Sequence, residues 1–312
     1  MAKKKPYRFF LYLLARAGAG FVFLMPRVWA LAIARAVGSL AYDRVPRQRK
    51  KILANLRQAY GSTKSPEEIE SLGRKVMVHA AQAAVEWIQL PKWDLKKIER
   101  FVDLGDVMTR YESLQREGKG IIAVTGHIGN WELLAAALCL KGLPLTVIAR
   151  KIYYEPYNRW IVNIRKSVNV RMVYRDGSAR ELLSCLKRNE IIGVLPDQDV
   201  DSLPGIFVDF FGHPAYTPVA PVKLALKTGA PIVVTALVRQ PAGRYRFLVA
   251  GVIRPVLETT AQEAIQKYTE LWMRSLESII RQYPEQWVWM HSRWKTKDEN
   301  RTGPRKETLK TS

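Results

Sequence analysis

The chain has 312 residues, 48% of them apolar, which is ample for a buried core and excludes disorder over most of its length. Its 50 Lys and Arg stand against 28 Asp and Glu, a formal charge of +22. An acidic partner is therefore expected: nucleic acid, an anionic membrane or lipid phosphate, or an acidic protein.

The layout of the charge narrows the choice. MAKKKPYR opens the chain, apolar segments follow over 9–25 and 28–42 on either side of Pro26, and DRVPRQRKK comes next. Apolar segments framed by Lys and Arg point to a membrane, so residues 1–42 are read as a hydrophobic membrane anchor. Each segment carries one arginine, Arg16 or Arg35, and is short for a span of roughly 20 apolar residues. One crossing and a shallow interfacial pair hinged at Pro26 both fit. A signal peptide is the rival reading, but no small-residue cleavage site is convincing and only two cysteines occur, so the segment is read as retained.

Helical spacing continues over 51–60, and Ser65-Pro66-Glu67-Glu68 combines an N-cap, a first-turn proline and a capping-box glutamate. That helix is expected to run to about Leu90, before Pro91, with 43–100 mostly helical. From Gly120 short apolar runs alternate with helical stretches: 120–125, 145–149, 170–174, 191–196, 231–237 and 245–253. This predicts an α/β fold, a mostly parallel central sheet flanked by helices. Asp176-Gly177-Ser178 and Thr217-Pro218 read as helix starts, the second helix ending near Gly229, and Thr260 with Glu263 opens a helix that Pro284 closes. One domain is expected over 43–295, and the basic tail 296–312 reads as disordered.

Residues 125–133, TGHIGNWEL, follow the first of these strands. His127 and Glu132 are five apart, so in a regular helix they would point about 140° away from each other. They meet only if His127 lies in the turn after the strand and Glu132 in the first turn of the next helix, with Gly126 and Gly129 supplying backbone freedom. Glu132 would then orient the imidazole while its other nitrogen takes a proton from an incoming hydroxyl. No Gly-x-Ser-x-Gly elbow is present, so a serine acyl-enzyme is not expected, and no second His or Cys lies at metal-ligand spacing. Taken alone, a satisfied histidine beside a solvated first-turn acid explains the same residues.

TGHIGNWEL, Ala149-Arg150, YNRWI at 157–161, GVLPDQDV at 193–200, GIFVDFFG at 205–212 and QWVWMHSRWK at 286–295 together resemble the bacterial lipid A biosynthesis acyltransferases. These belong to the wider glycerolipid acyltransferase superfamily, which carries His-x4-Asp where this chain has Glu. The resemblance implies transfer of an acyl chain from an acyl carrier protein thioester to a hydroxyl of a phosphorylated glycolipid acceptor, a lipid A precursor. It implies no metal and no cofactor, and a site on the cytoplasmic side of the inner membrane. His127 becomes the general base and Glu132 its orienting carboxylate; Arg150 is an expected holder of acceptor phosphate. Arg159, Asn130, Asp197 and Gln198 join the substrate-binding set, with helix capping the plainer role for Asn130 and Asp197. Gly205, Phe207 and Phe211 are expected to shape a lipid-facing loop, and Thr217 to cap a helix. Trp287, Trp289 and Trp294 suit a membrane interface or the packing of the C-terminal segment, His291 and His213 are expected to be structural, and His79 carries no signal. Acylation of another membrane lipid, or a non-catalytic lipid-binding module, are the alternatives; no nucleic-acid module accompanies the basic charge.

Overall fold

A computed structural model describes residues 7–175, 179–257 and 260–297. The chain begins with helices α1 (Tyr7–Leu24), α2 (Arg27–Arg44), α3 (Pro46–Tyr60) and α4 (Pro66–Ile88). Pro26, which cannot continue a helical hydrogen-bond ladder, separates the first two. α4 opens as read, with the Ser65 hydroxyl accepting from the Glu68 amide and the Glu68 carboxylate accepting from the Ser65 amide.

α1 is long and apolar enough to cross a membrane, and Phe9, Phe10, Leu13, Leu14, Phe21 and Leu24 on it are exposed. α2 differs because Ala30, Ala34, Gly38 and Tyr42, four apart, lie buried against α4. A Cβ at Gly38 would stand 2.7 Å from the Cα of Val78, so only glycine permits this approach. The outer face of α2, with Val28, Trp29, Ile33 and Val37, is exposed. The second apolar segment is thus half a core helix. Together with α1 it leaves a broad apolar face of the kind that meets a membrane or a partner.

There follow α5 (Leu95–Phe101), β1 (Val102–Asp103), α6 (Val107–Gln115), β2 (Ile121–Val124), α7 (Trp131–Leu140), β3 (Leu145–Ala149), α8 (Glu155–Lys166), β4 (Arg171–Tyr174), α9 (Ala179–Lys187) and β5 (Ile191–Val194). The chain continues through β6 (Gly205–Phe210), β7 (His213–Pro218), α10 (Ala220–Thr228), β8 (Ile232–Arg239), β9 (Tyr245–Ile253) and α11 (Ala261–Gln282). Seven strands form one sheet in the order β1-β9-β8-β2-β5-β3-β4, parallel throughout except where β9 runs against β8. Side chains alternate between two cores. Ile122, Val124, Ile192 and Val194 face the side covered by α4, α9 and α11, while Ile121, Ala123 and Ile191 face that of α6, α7 and α8.

All six expected strands are present, but a separate antiparallel ribbon of β6 and β7 was not foreseen. GIFVDFFG is therefore mainly a strand of this ribbon, and Thr217 lies buried within β7 rather than capping α10, whose N-cap position is Val219. The prolines of β7 are tolerated because a two-stranded ribbon leaves half the backbone groups of each strand unpaired. The expected helix start at 176–178 lies outside the described residues, as does the tail from 298 onward. Thr296 is still tied to the fold, its amide and hydroxyl donating to Asp199 at 2.8 and 2.7 Å.

Candidate active site

β2 and β5 are adjacent and parallel, with Val124 opposite Val194. His127 lies three residues beyond the first and Asp197 three beyond the second, so equal offsets from a shared register bring them together. The Nδ1 of His127 lies 2.7 Å from Oδ1 of Asp197, and the His127 amide donates to Oδ2 at 2.7 Å. Trp287 Nε1–H donates to the same Oδ2 at 2.9 Å. Asp197 is fully buried; burial alone would raise its pKa, but the charge and hydrogen bonds of His127 hold it at about 2. For His127 burial disfavours the imidazolium, yet the charge and hydrogen bond of Asp197 outweigh this and raise its pKa above the ordinary histidine value. Because Asp197 accepts the Nδ1 proton, Nε2 carries the lone pair.

The turn that holds His127 is clamped on two sides. Gly129 N–H donates to the Gln286 carbonyl at 3.0 Å, Val288 N–H to the His127 carbonyl at 3.0 Å, and Asn130 N–H to the Leu237 carbonyl at 2.8 Å. Gly129 has φ +62°, and a Cβ there would stand 2.0 Å from the Leu237 carbonyl oxygen, so this position requires glycine. Gly126 does not have a positive φ; instead its bare Cα makes room for Asp197, whose Oδ2 would lie 3.0 Å from an added Cβ. His79 is buried, and burial with the charge of Arg239 lowers its pKa to about 4. The neutral ring donates from Nε2 to the Gly129 carbonyl at 3.1 Å.

Glu132 does begin α7, as the strand–turn–helix reading required, but it does not hold the imidazole. Its carboxylate is gripped by Arg165 of α8 through Nε at 3.0 Å and Nη2 at 2.6 Å, a bidentate pair largely shielded from water. Glu132 still acts on His127 through space, adding to the rise of its pKa. The contact with Nδ1 expected of Glu132 is made by Asp197, since the parallel register puts Asp197 in line with Nδ1 while the helix start turns Glu132 toward α8. Glu132, Arg165, Asn130 and His79 are the polar groups of a cavity of about 370 Å³ whose remaining walls are apolar, among them Val76, Trp87 and Met290.

Residues 2–296 match the family described as bacterial lipid A biosynthesis acyltransferase. The chain belongs to that family. It is 25% identical over 305 residues to the lipid A biosynthesis lauroyltransferase of Escherichia coli K12, covering 92% of this chain and 93% of that one. It is 25% identical over 215 residues to a phosphatidylinositol mannoside acyltransferase of Mycobacterium tuberculosis, covering 67% of this chain and 66% of the relative. It is also 27% identical over 204 residues to a lipid A biosynthesis acyltransferase of Haemophilus influenzae, covering 64% and 60%. The chain thus spans just under two thirds of the mycobacterial relative.

The other residues this family resemblance singled out are scattered. Asn130 caps α7, its Oδ1 accepting from Leu133 N–H at 3.0 Å and its Nδ2 donating to Glu86 at 3.1 Å. Gln198 lies over the site, its amide nitrogen 3.2 and 3.1 Å from the two ring nitrogens of His127; with the Nδ1 proton given to Asp197, only Nε2 can accept from it. Arg150 is exposed just after β3 and Arg159 is exposed on α8; neither lines the cavity of Glu132. Trp287, Trp289 and Trp294 are buried, which decides for packing over a membrane interface. His213 Nε2–H donates to the Gln58 carbonyl at 2.9 Å, while the His291 ring lies 5.8 Å from the His127 ring.

Arg165, His79 and Glu86 had no signal in the sequence. Glu86 is buried in α4 and binds Arg27 at the start of α2, Arg239 of β8, the Tyr245 hydroxyl and Asn130. One carboxylate thereby ties the N-terminal helix pair to the cap of the helix that carries Glu132.

Proposed function

We propose that this chain transfers a fatty acyl group from a thioester to a hydroxyl of a membrane lipid, with His127 as general base. The observation that carries the reading is an imidazole fixed through Nδ1 by a buried aspartate, its basic Nε2 met by the exchangeable Gln198 amide, in a turn whose next residues, Gly129 to Glu132, line a largely apolar cavity. Nε2 takes the proton of the acceptor hydroxyl as its oxygen attacks the thioester carbonyl. The tetrahedral intermediate collapses with loss of the thiolate, which receives that proton from the imidazolium. Asp197 stays ionised throughout and stabilises the imidazolium, and Glu132 adds a second negative charge nearby. The N–H groups of the first turn of α7 favour negative charge on the intermediate's oxygen. The apolar cavity suits a hydrocarbon chain, with Arg165 neutralising the one carboxylate in its wall.

The acceptor best supported is a phosphorylated glycolipid of the lipid A type, because the lipid A relative from Escherichia coli aligns over nearly the whole chain. The donor best supported is an acyl carrier protein thioester, whose acidic surface complements a chain of charge +22. The site then works at the cytoplasmic face of the inner membrane, with residues 1–42 as anchor. A mannosylated phosphatidylinositol acceptor is the second reading, favoured by the mycobacterial relatives.

Mass spectrometry of lipid A from a host lacking its own late acyltransferases tests this directly. The wild-type chain is expected to add one acyl group and His127→Ala none. Unchanged lipid A, together with acylation of mannosylated phosphatidylinositol by purified protein, would favour the second reading.

A further inference from the structure

A second cavity, of about 760 Å³, lies between α1 and α8. α1 lines it with Tyr12, Arg16 and Phe23, spaced along one face of the helix, and α8 lines it with Arg159, Trp160 and Asn163. No carboxylate lines it, and its two charged groups are guanidiniums. Arg16 lies 5.0 Å over the Trp160 ring and has no acidic partner among the described residues. Arg159 has only Glu155, at 4.0 Å with both side chains exposed, a pair worth little in water.

The surroundings give the depth of this groove in a membrane. Tyr12 touches Tyr154 and Tyr157 edge-on at 6.1 and 5.2 Å, and Arg8 lies over Tyr153. Tyrosines interleaved with arginines, next to the exposed apolar face of α1, form the collar that proteins present at headgroup level. The groove is also walled off from the candidate active site. α8 turns Ile161 and Arg165 to the cavity of Glu132 but Trp160 and Ile164 to this one, and Trp87 meets Trp160 edge-on at 5.4 Å between them.

We propose that this groove binds an anionic phospholipid of the surrounding leaflet, its phosphodiester held by Arg16 and Arg159 and an acyl chain laid along Phe23, Ile88 and Trp160. The lipid is a bound neighbour and not the reacting acceptor, since the aromatic wall stands between its site and Glu132. It bridges the anchor helix to α8, the helix that positions Arg165.

The test uses the full-length protein in detergent micelles containing equal phosphatidylglycerol and phosphatidylcholine, with the retained lipid read by native mass spectrometry. Wild type is expected to retain one phosphatidylglycerol with a preference of roughly tenfold over phosphatidylcholine, as two interfacial arginines would confer. The double variant Arg16→Gln/Arg159→Gln should lose the preference, while Arg110→Gln/Arg116→Gln, in α6 and at its C-cap, keeps it. Both groove arginines are exposed, so neither change empties a core site. Equal retention of both lipids by wild type overturns the proposal, as does undiminished preference in the groove variant. An equal loss in both double variants overturns it too, because diffuse charge attraction would then suffice.

Discussion

The Nδ1 of His127 lies 2.7 Å from a carboxylate oxygen of Asp197, a residue 70 positions later in the chain. This contact fixes the ring tautomer and raises the histidine's pKa against the effect of burial. A general base must be neutral, so the proposed activity is lost as pH falls through a value above the ordinary 6.5. Asp197→Asn removes the charge while keeping the shape. The acid limb of the kcat/KM profile is expected to move to lower pH, and the plateau to fall by about 10²–10⁴. An unmoved acid limb would mean that Asp197 does not set the basicity of His127.

The Glu132–Arg165 pair leads to a split between stability and activity. Removing one partner of a largely buried pair leaves the other charge stranded, at a cost of about 3–5 kcal/mol. Replacing both by apolar residues of similar volume, Glu132→Leu with Arg165→Met, is expected to recover most of that stability in urea unfolding. Activity should stay low in the double variant, because the negative charge that Glu132 lends to His127 is gone. Recovery of both together would reduce Glu132 to a packing residue.

How much of this was legible follows from which signals are local. Helix caps such as Ser65 with Glu68 and Thr260 with Glu263 are read within four residues, and the strands announce themselves as apolar runs. Strand order is not local. That β5 inserts between β2 and β3, and so delivers Asp197 to His127, is written in no periodicity. Equal three-residue offsets after two apolar runs are visible in hindsight, but only once the strands are known to be neighbours. Arg165 and Glu86 were hidden for a related reason, each being one charged residue on a helix where a solvated face is the ordinary explanation. The β6–β7 ribbon was obscured by Thr217-Pro218, which reads as a helix start.

Glu86 gives a prediction about folding and pH together. Burial would raise its pKa, but Arg239 and then Arg27 outweigh this and lower it. A depressed carboxylate contributes stability above its unfolded pKa and loses it as pH falls through the folded value. Glu86→Gln should therefore be less stable than wild type near neutrality, with the gap narrowing below about pH 4.5, the ordinary carboxylate value. Thermal unfolding at several pH values reads this. A gap that stays constant into acid would show that the buried ion cluster contributes nothing net.

The central claim, that His127 is the general base, is tested most directly by the turnover of purified His127→Ala against wild type. The assay uses an acyl carrier protein thioester and a phosphorylated lipid A precursor, at a pH on the wild-type plateau. The account predicts a fall in kcat of about 10²–10⁴ with folding and micelle association unchanged. A variant that turns over within a few fold of wild type would contradict it.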